Sequence, residues 1–209
     1  MVVKQITQPP KEVFLEHTWP PPQGAWTYED YARLPDNGVR YEIIEGELYM
    51  SPAPRPSHQR VSFDIAFVLN TFVKKHKLGQ IFTAPIDVNL PEVASPVQPD
   101  VVFISNDQMH TIKEAFIEGV PNLVIEILSP GNPAYDRRTK FHIYARAGVQ
   151  EYWIIDPHNR TIDVFVLRGR AYALLGNFGP GDEARSELLD GFTVLVDEVC
   201  GQWSSFGSR

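Results

Sequence analysis

Cysteine is nearly absent. The single Cys200 in 209 residues excludes an intramolecular disulfide and suits a reducing compartment. No apolar stretch approaches the ~20 residues needed to cross a membrane, and the N-terminus has no apolar run of the signal-peptide kind, so the sequence predicts a soluble, cytoplasmic chain with no membrane partner. Positive charge is in deficit: the formal net charge is -7 and the pI near 5.3, against a protein that coats nucleic acid non-specifically through Lys and Arg. A local basic groove stays open. Lys74, Lys75 and Lys77 form one cluster and Arg137, Arg138 and Lys140 another; the plainer reading of each is a solvated helix face, and it is the favoured one for the first. Glycine-rich phosphate loops and a serine nucleophile elbow are both missing, which removes kinase, dinucleotide-binding and triad-hydrolase readings. One Cys with scattered His17, His76, His110, His142 and His158 makes no soft zinc site.

Proline, by contrast, is abundant at 18 residues, with one group near the N-terminus (Pro9, Pro10, Pro20, Pro21, Pro22) and another at Pro52, Pro54 and Pro56. Residues 1–25 read as a Pro-rich extended arm and 26–209 as a single domain. Thr27 followed by Glu29 and Asp30 announces a short helix, and VRYEIIEGELYMS a hairpin turning at Glu45-Gly46. Ser57 is placed to cap a helix with Val61, Ile65, Leu69 and Val73 on one face, stopping at Gly79. QIFTAPIDVNL reads as a second extended pair and VQPDVVFIS as a short strand, followed by an irregular stretch with a short helix over 106–119. A helix from about 134 stops at Gly148, and EYWIIDPHNRTIDVFVLRGRAYALL reads as three strands joined by tight turns. LLDGFTVLV adds one more strand. The alternation predicts an α/β (α+β) fold, a mixed β-sheet flanked by helices with additional hairpins.

NLVIEILSPG poses the sharpest question. Its β-branched run reads as a buried strand, yet Glu126 lies in the middle, and a buried carboxylate is costly unless a cation or hydrogen bonds compensate it. Asp100 opens the preceding strand VVFI. Adjacent strands lie ~4.8 Å apart, so two carboxylates on paired strands can share a small ion such as Mg²⁺, which prefers oxygen ligands. On the next helix, Asp136, Lys140 and Tyr144 are spaced four apart and share a face. Lys140 could then orient a water or stabilise phosphate charge, and Tyr144 could steady it; an ordinary surface ion pair beside a core tyrosine fits the same spacing. Gln98 needs no function, and Tyr152 and Trp153 read as core.

Pro99-Asp100 followed by Glu126-Ile127-Leu128 resembles the PD-(D/E)xK nuclease signature. The ordered set YEIIEGELYMS, His58, VQPDVVFIS, NLVIEILSPG, DRRTKFHIYARAG and EYWIIDP resembles the Uma-two family of restriction-endonuclease-like proteins over roughly residues 27–200. The resemblance implies a restriction-endonuclease-like fold, a metal-dependent endonuclease using Mg²⁺ or Mn²⁺, and nucleic acid, DNA first, as partner. It assigns Asp100 and Glu126 as metal ligands and Glu42 to an acidic position that could contact a second ion or a metal-bound water. His58, just past the cap of the long helix, has two readings, a residue facing that metal site or a local hydrogen-bonding one. Leu128 departs from the pattern where its Lys belongs, and the resemblance moves that role to Lys140, with Tyr144 four residues on. It also implies work as a homodimer. Two rival readings stand beside it: a nuclease-like binding or assembly protein with little turnover, and a hydrolase of small phosphorylated molecules.

Overall fold

The computed structural model describes residues 19–201, apart from 36, 52, 92 and 130–134. Most of the expected N-terminal arm therefore lies outside the described residues, but residues 23–26 do not trail away. Gly24 and Trp26 donate backbone hydrogen bonds to the Gly46 carbonyl, and Gln23 pairs with both backbone groups of Leu48.

Helix α1 (Tyr28–Tyr31) starts as the sequence implies: Thr27 and Asp30 exchange side-chain and backbone hydrogen bonds in a capping box. Strands β1 (Arg40–Ile44) and β2 (Glu47–Ser51) form the hairpin, with Glu45 and Gly46 both at positive φ, as a tight primed turn requires. A side chain at position 46 would sit 2.5 Å from the Gly24 carbonyl oxygen, so glycine is also needed for the approach of residues 23–26.

Helix α2 (Pro56–His76) buries Val61, Ile65, Leu69 and Val73 completely, each worth about 1.5–3 kcal/mol of apolar transfer. Its ends differ from expectation. Arg55, not Ser57, is the N-cap, because Pro56 takes the first helical position where no N–H is needed. At the other end Lys77 adopts the left-handed C-cap, and Gly79 is already in strand β3 (Gly79–Thr83). Gly79 serves close approach: a Cβ there would lie 2.0 Å from the Ile104 carbonyl oxygen.

Strand β3 and strand β4 (Asp87–Leu90) are both extended, as expected, but they do not pair with each other. A five-stranded sheet runs β2-β1-β5-β4-β7, with β5 at Ala94–Val97 and β7 at Phe116–Glu118. A six-stranded sheet runs β11-β10-β9-β8-β6-β3, with β6 at Val101–Ser105, β8 at Leu123–Ile127, β9 at Glu151–Asp156, β10 at Thr161–Arg168 and β11 at Ala171–Phe178. It is mixed: β8 is antiparallel to β6 and parallel to β9. A 3-10 helix (Asn106–Thr111) follows β6, and a π-helix (Tyr135–Lys140) leads into α3 (Phe141–Ala147), which Gly148 ends in the left-handed region. The described residues finish with β12 (Glu183–Arg185), β13 (Thr193–Leu195) and α4 (Val196–Cys200), where the sequence predicts one strand.

The six-stranded sheet is the central layer. One face packs Val101, Phe103, Leu123, Ile125, Ile127, Trp153 and Ile155 under α2, α4 and the β12–β13 pair. The other packs Val102, Ile104, Val124, Tyr152 and Ile154 against the five-stranded sheet and α3. Tyr152 and Trp153 are thus core on opposite faces. No helix among the described residues is long and apolar enough to cross a membrane.

Candidate active site

Strand alternation explains the position of Glu126. Leu123, Ile125 and Ile127 face α2, while Val124 and Leu128 face the second core. Glu126 occupies the place on that second face where an aliphatic side chain would otherwise sit. The β6–β8 register pairs Val101 with Ile125, and one further step sets Asp100 opposite Glu126. Both are almost wholly buried, at 3% and 2% exposure.

Each carboxylate is compensated. Glu126 Oε1 accepts from Lys140 Nζ at 2.9 Å and from the Tyr144 hydroxyl at 2.7 Å. Lys140 Nζ also lies 3.1 Å from Glu42 Oε1, which in turn accepts from the Gln98 backbone N–H at 2.8 Å. The ammonium, itself buried, thereby bridges a carboxylate from each sheet. Asp100 Oδ2 receives the Ile127 N–H at 2.9 Å and lies 3.0 Å from His58 Nε2, while Arg40 Nη1 reaches Oδ1 at 3.2 Å.

Burial by itself would raise the Asp100 pKa. The His58 hydrogen bond, the His58 and Lys140 charges and the Ile127 N–H more than reverse this, holding the carboxyl below its ordinary range and ionised. Tyr144 moves the other way: burial first, then the Glu126 charge, push its hydroxyl far up, so it stays a phenol that donates to Glu126.

The structure therefore brings Glu42, His58, Asp100, Glu126, Lys140 and Tyr144 into one cluster. Leu128 is packed in the core, and the ammonium that a Lys at 128 would carry arrives from the π-turn before α3. The Asp136 and Arg137 side chains lie outside what is described, as does His17. His76, His110, His142 and His158 are exposed.

Arg40 was not foreseen. A lone Arg on a half-buried strand reads as solvent-facing, and its only sequence clue is that it shares a strand face with Glu42. Gln98 has a structural post: its side chain donates to Asp87 Oδ1 at 2.8 Å and to the Tyr31 hydroxyl at 3.3 Å.

Among the described residues no three His, Cys, Asp or Glu side chains are grouped to cage a metal ion. A two-carboxylate site is a different matter. Asp100 and Glu126 are hard oxygen donors on neighbouring strands, and Mg²⁺ or Mn²⁺ bound by one or two carboxylates keeps its other positions for water and phosphate. The donor set fits that kind of ion.

An acidic pair on adjacent strands of a mixed sheet, with a buried Lys beside it and helices on the flanks, defines a protein of restriction-endonuclease-like fold. Residues 28–197 match the Uma2 family, described as "Putative restriction endonuclease", and the chain belongs to that family. A solved structure from Anabaena variabilis ATCC 29413, described as a "putative nuclease belonging to DUF820", superposes with a TM-score of 0.69 at 19% identity, covering 84% of this chain and 98% of its own. That likeness is one of fold. Two relatives from Synechocystis sp., the uncharacterized proteins sll1609 and slr1290, are 27% identical over 116 residues and 25% identical over 164 residues. The alignments cover 55% and 77% of this chain, and 65% and 83% of those proteins.

Proposed function

We infer that this chain is a metal-dependent nuclease that hydrolyses phosphodiester bonds of nucleic acid, with DNA the expected substrate. The observation that carries the reading is the buried Lys140 ammonium held between Glu126 and Glu42 beside Asp100. A fold that needed only stability would do as well with aliphatic residues there, because desolvating several charges usually costs about what their pairing returns. Family membership and the shared fold support the same conclusion.

Asp100 and Glu126 would hold Mg²⁺ or Mn²⁺, which when bound supplies Lewis acidity toward the phosphate and toward water. The chain's own groups do the rest. Lys140 places a positive charge where the phosphoryl group gains negative charge in the transition state, and its N–H groups orient the attacking water. Tyr144 fixes the Glu126 carboxylate, and Glu42 fixes Lys140 from the opposite sheet. His58 helps to hold Asp100 ionised, and Arg40 helps to hold it in place. Hydrolysis adds water across one P–O bond, leaving a phosphomonoester and a hydroxyl.

A nuclease-like binding or assembly protein is the second reading, favoured by the fact that protein cations and N–H groups already partner these carboxylates. Incubation with supercoiled plasmid and single-stranded circles in Mn²⁺ separates the two. The nuclease reading expects cleavage by wild type, reduced roughly a hundredfold or more in Lys140→Ala. Intact substrates with folded wild-type protein would move the assignment to the second reading.

A further inference from the structure

The two most exposed aromatic side chains on α2 are Phe63 and Phe67, at 63% and 62% exposure. Their rings lie 6.3 Å apart and nearly parallel, with an interplanar angle of 16°. They line a groove of about 700 Å³ between α2 and β3, together with Asn70, Lys74, Ile81 and Thr83. Strand β3 is an edge of the six-stranded sheet, so the groove runs beside an open row of backbone donors and acceptors.

The groove lies on the α2 face of the six-stranded sheet, opposite the face that carries the carboxylates, and its Thr83 end comes to the end of the sheet where Asp100 stands. At one end Thr83 pairs with Val101, and the Ala84 N–H donates to the Asp100 carbonyl. At the same end of α2, His58 contacts the Asp100 carboxylate. Lys74 lies sixteen residues further along α2, ~24 Å from His58 at the helical rise. At the ~3.4 Å rise of one stacked strand, such a track accommodates several nucleotides. Asp64, the residue after Phe63, is paired with Arg60 at 2.8 Å.

Resting on the nuclease reading, we propose that the α2–β3 groove is the track for a single-stranded stretch of nucleic acid entering the Asp100–Glu126 site. Phe63 and Phe67 offer their faces to unpaired bases, Lys74 meets a phosphate, and Asn70, Thr83 and the β3 edge supply hydrogen bonds. Aromatic faces beside a cation bind single strands without reading sequence, because every base has a face to stack. Bases within a duplex are already stacked on one another and have no free face to offer, so the groove selects unpaired segments.

The test is fluorescence anisotropy of a labelled oligothymidylate of about 15 nucleotides, alongside a duplex of equal length, with the full chain in EDTA. Wild type is compared with Phe63→Ala/Phe67→Ala and with Lys74→Ala, all at exposed positions that leave the core intact. Expected are preference for the single strand, a loss of about tenfold or more in the double variant, and a smaller loss in Lys74→Ala. The proposal is overturned if wild type binds no single strand, or if the double variant binds it equally well. It is also overturned if wild type sediments as a dimer that the double variant dissolves, which would give the groove to a second copy. Cleavage of the same strands in Mn²⁺ keeps the two ideas apart. Cleavage unchanged in the double variant defeats the groove and spares the nuclease; binding lost in the double variant with no wild-type cleavage does the reverse.

Discussion

Glu126 shows what a single buried charge demands of its surroundings. With Glu42 it holds one ammonium, so Lys140→Met would strand two carboxylates away from water and should cost about 3–5 kcal/mol in urea unfolding. An unchanged midpoint would mean that the cluster is better hydrated than its burial implies. Asp100 sets an acid limit. Its folded pKa lies below the ordinary Asp value of about 4, so its stabilisation is present above that value and is lost as the pH falls through the folded pKa. In metal-free protein, Asp100→Asn should therefore be less stable than wild type at pH 6 and lose less on acidification; parallel curves would refute this. Cys200 is the converse case. Burial pushes its thiol up to about 11, so its contribution is present below the ordinary thiol range and is lost as the pH rises toward 11. The folded chain should accordingly react with a thiol reagent at pH 8 far more slowly than the urea-unfolded chain, and equal rates would contradict the burial. The acidic residues were legible because charge is conspicuous inside an apolar strand. Arg40 was not, because an arginine on a half-buried strand looks the same in sequence whether it faces water or a carboxylate.

Secondary structure was legible where period and punctuation agree. The β1–β2 hairpin, the long amphipathic α2 and the β9–β10–β11 meander each combine an apolar pattern with a turn or stop residue. The short strands β5, β7 and β12 carry three or four residues each, too few to display a period, and only tertiary pairing defines them. Gly79 was read as a helix stop because a glycine after a helix usually is one; its actual duty is contact with the Ile104 carbonyl across the β3–β6 pair. Gly79→Ala should disrupt that pairing and lower the unfolding free energy by about 1–3 kcal/mol, as overpacking does elsewhere. Wild-type stability in that variant would show that β3 can shift outward without penalty. The π-helix before α3 has no signature at the level of pattern. The four-residue spacing of Lys140 and Tyr144 nonetheless ends with both side chains on Glu126 Oε1, because both lie at or beyond the point where α-helical winding resumes.

At the scale of the whole molecule, the layering that was expected in outline, a mixed sheet with helices on its faces, is present, but the second sheet was not foreseen. That sheet matters for the site, since it supplies Glu42 and Arg40 from β1 and so closes the carboxylate pair of the central sheet from above. A chain with net charge -7 cannot bind nucleic acid by broad neutralisation. If the α2–β3 groove is the track, few phosphates are neutralised and log K against log salt should have a shallow slope of about -1 to -2. A slope several times steeper would point to an extended basic surface instead. The central claim is that Asp100 and Glu126 form a divalent-cation site served by Lys140, and calorimetric titration of Mn²⁺ into the full chain tests it most directly. Wild type should bind, Glu126→Gln should lose binding while remaining folded, and Lys140→Gln should keep it. No heat in wild type, or binding retained in Glu126→Gln, would contradict the claim and leave the cluster a buried charge network of a scaffold.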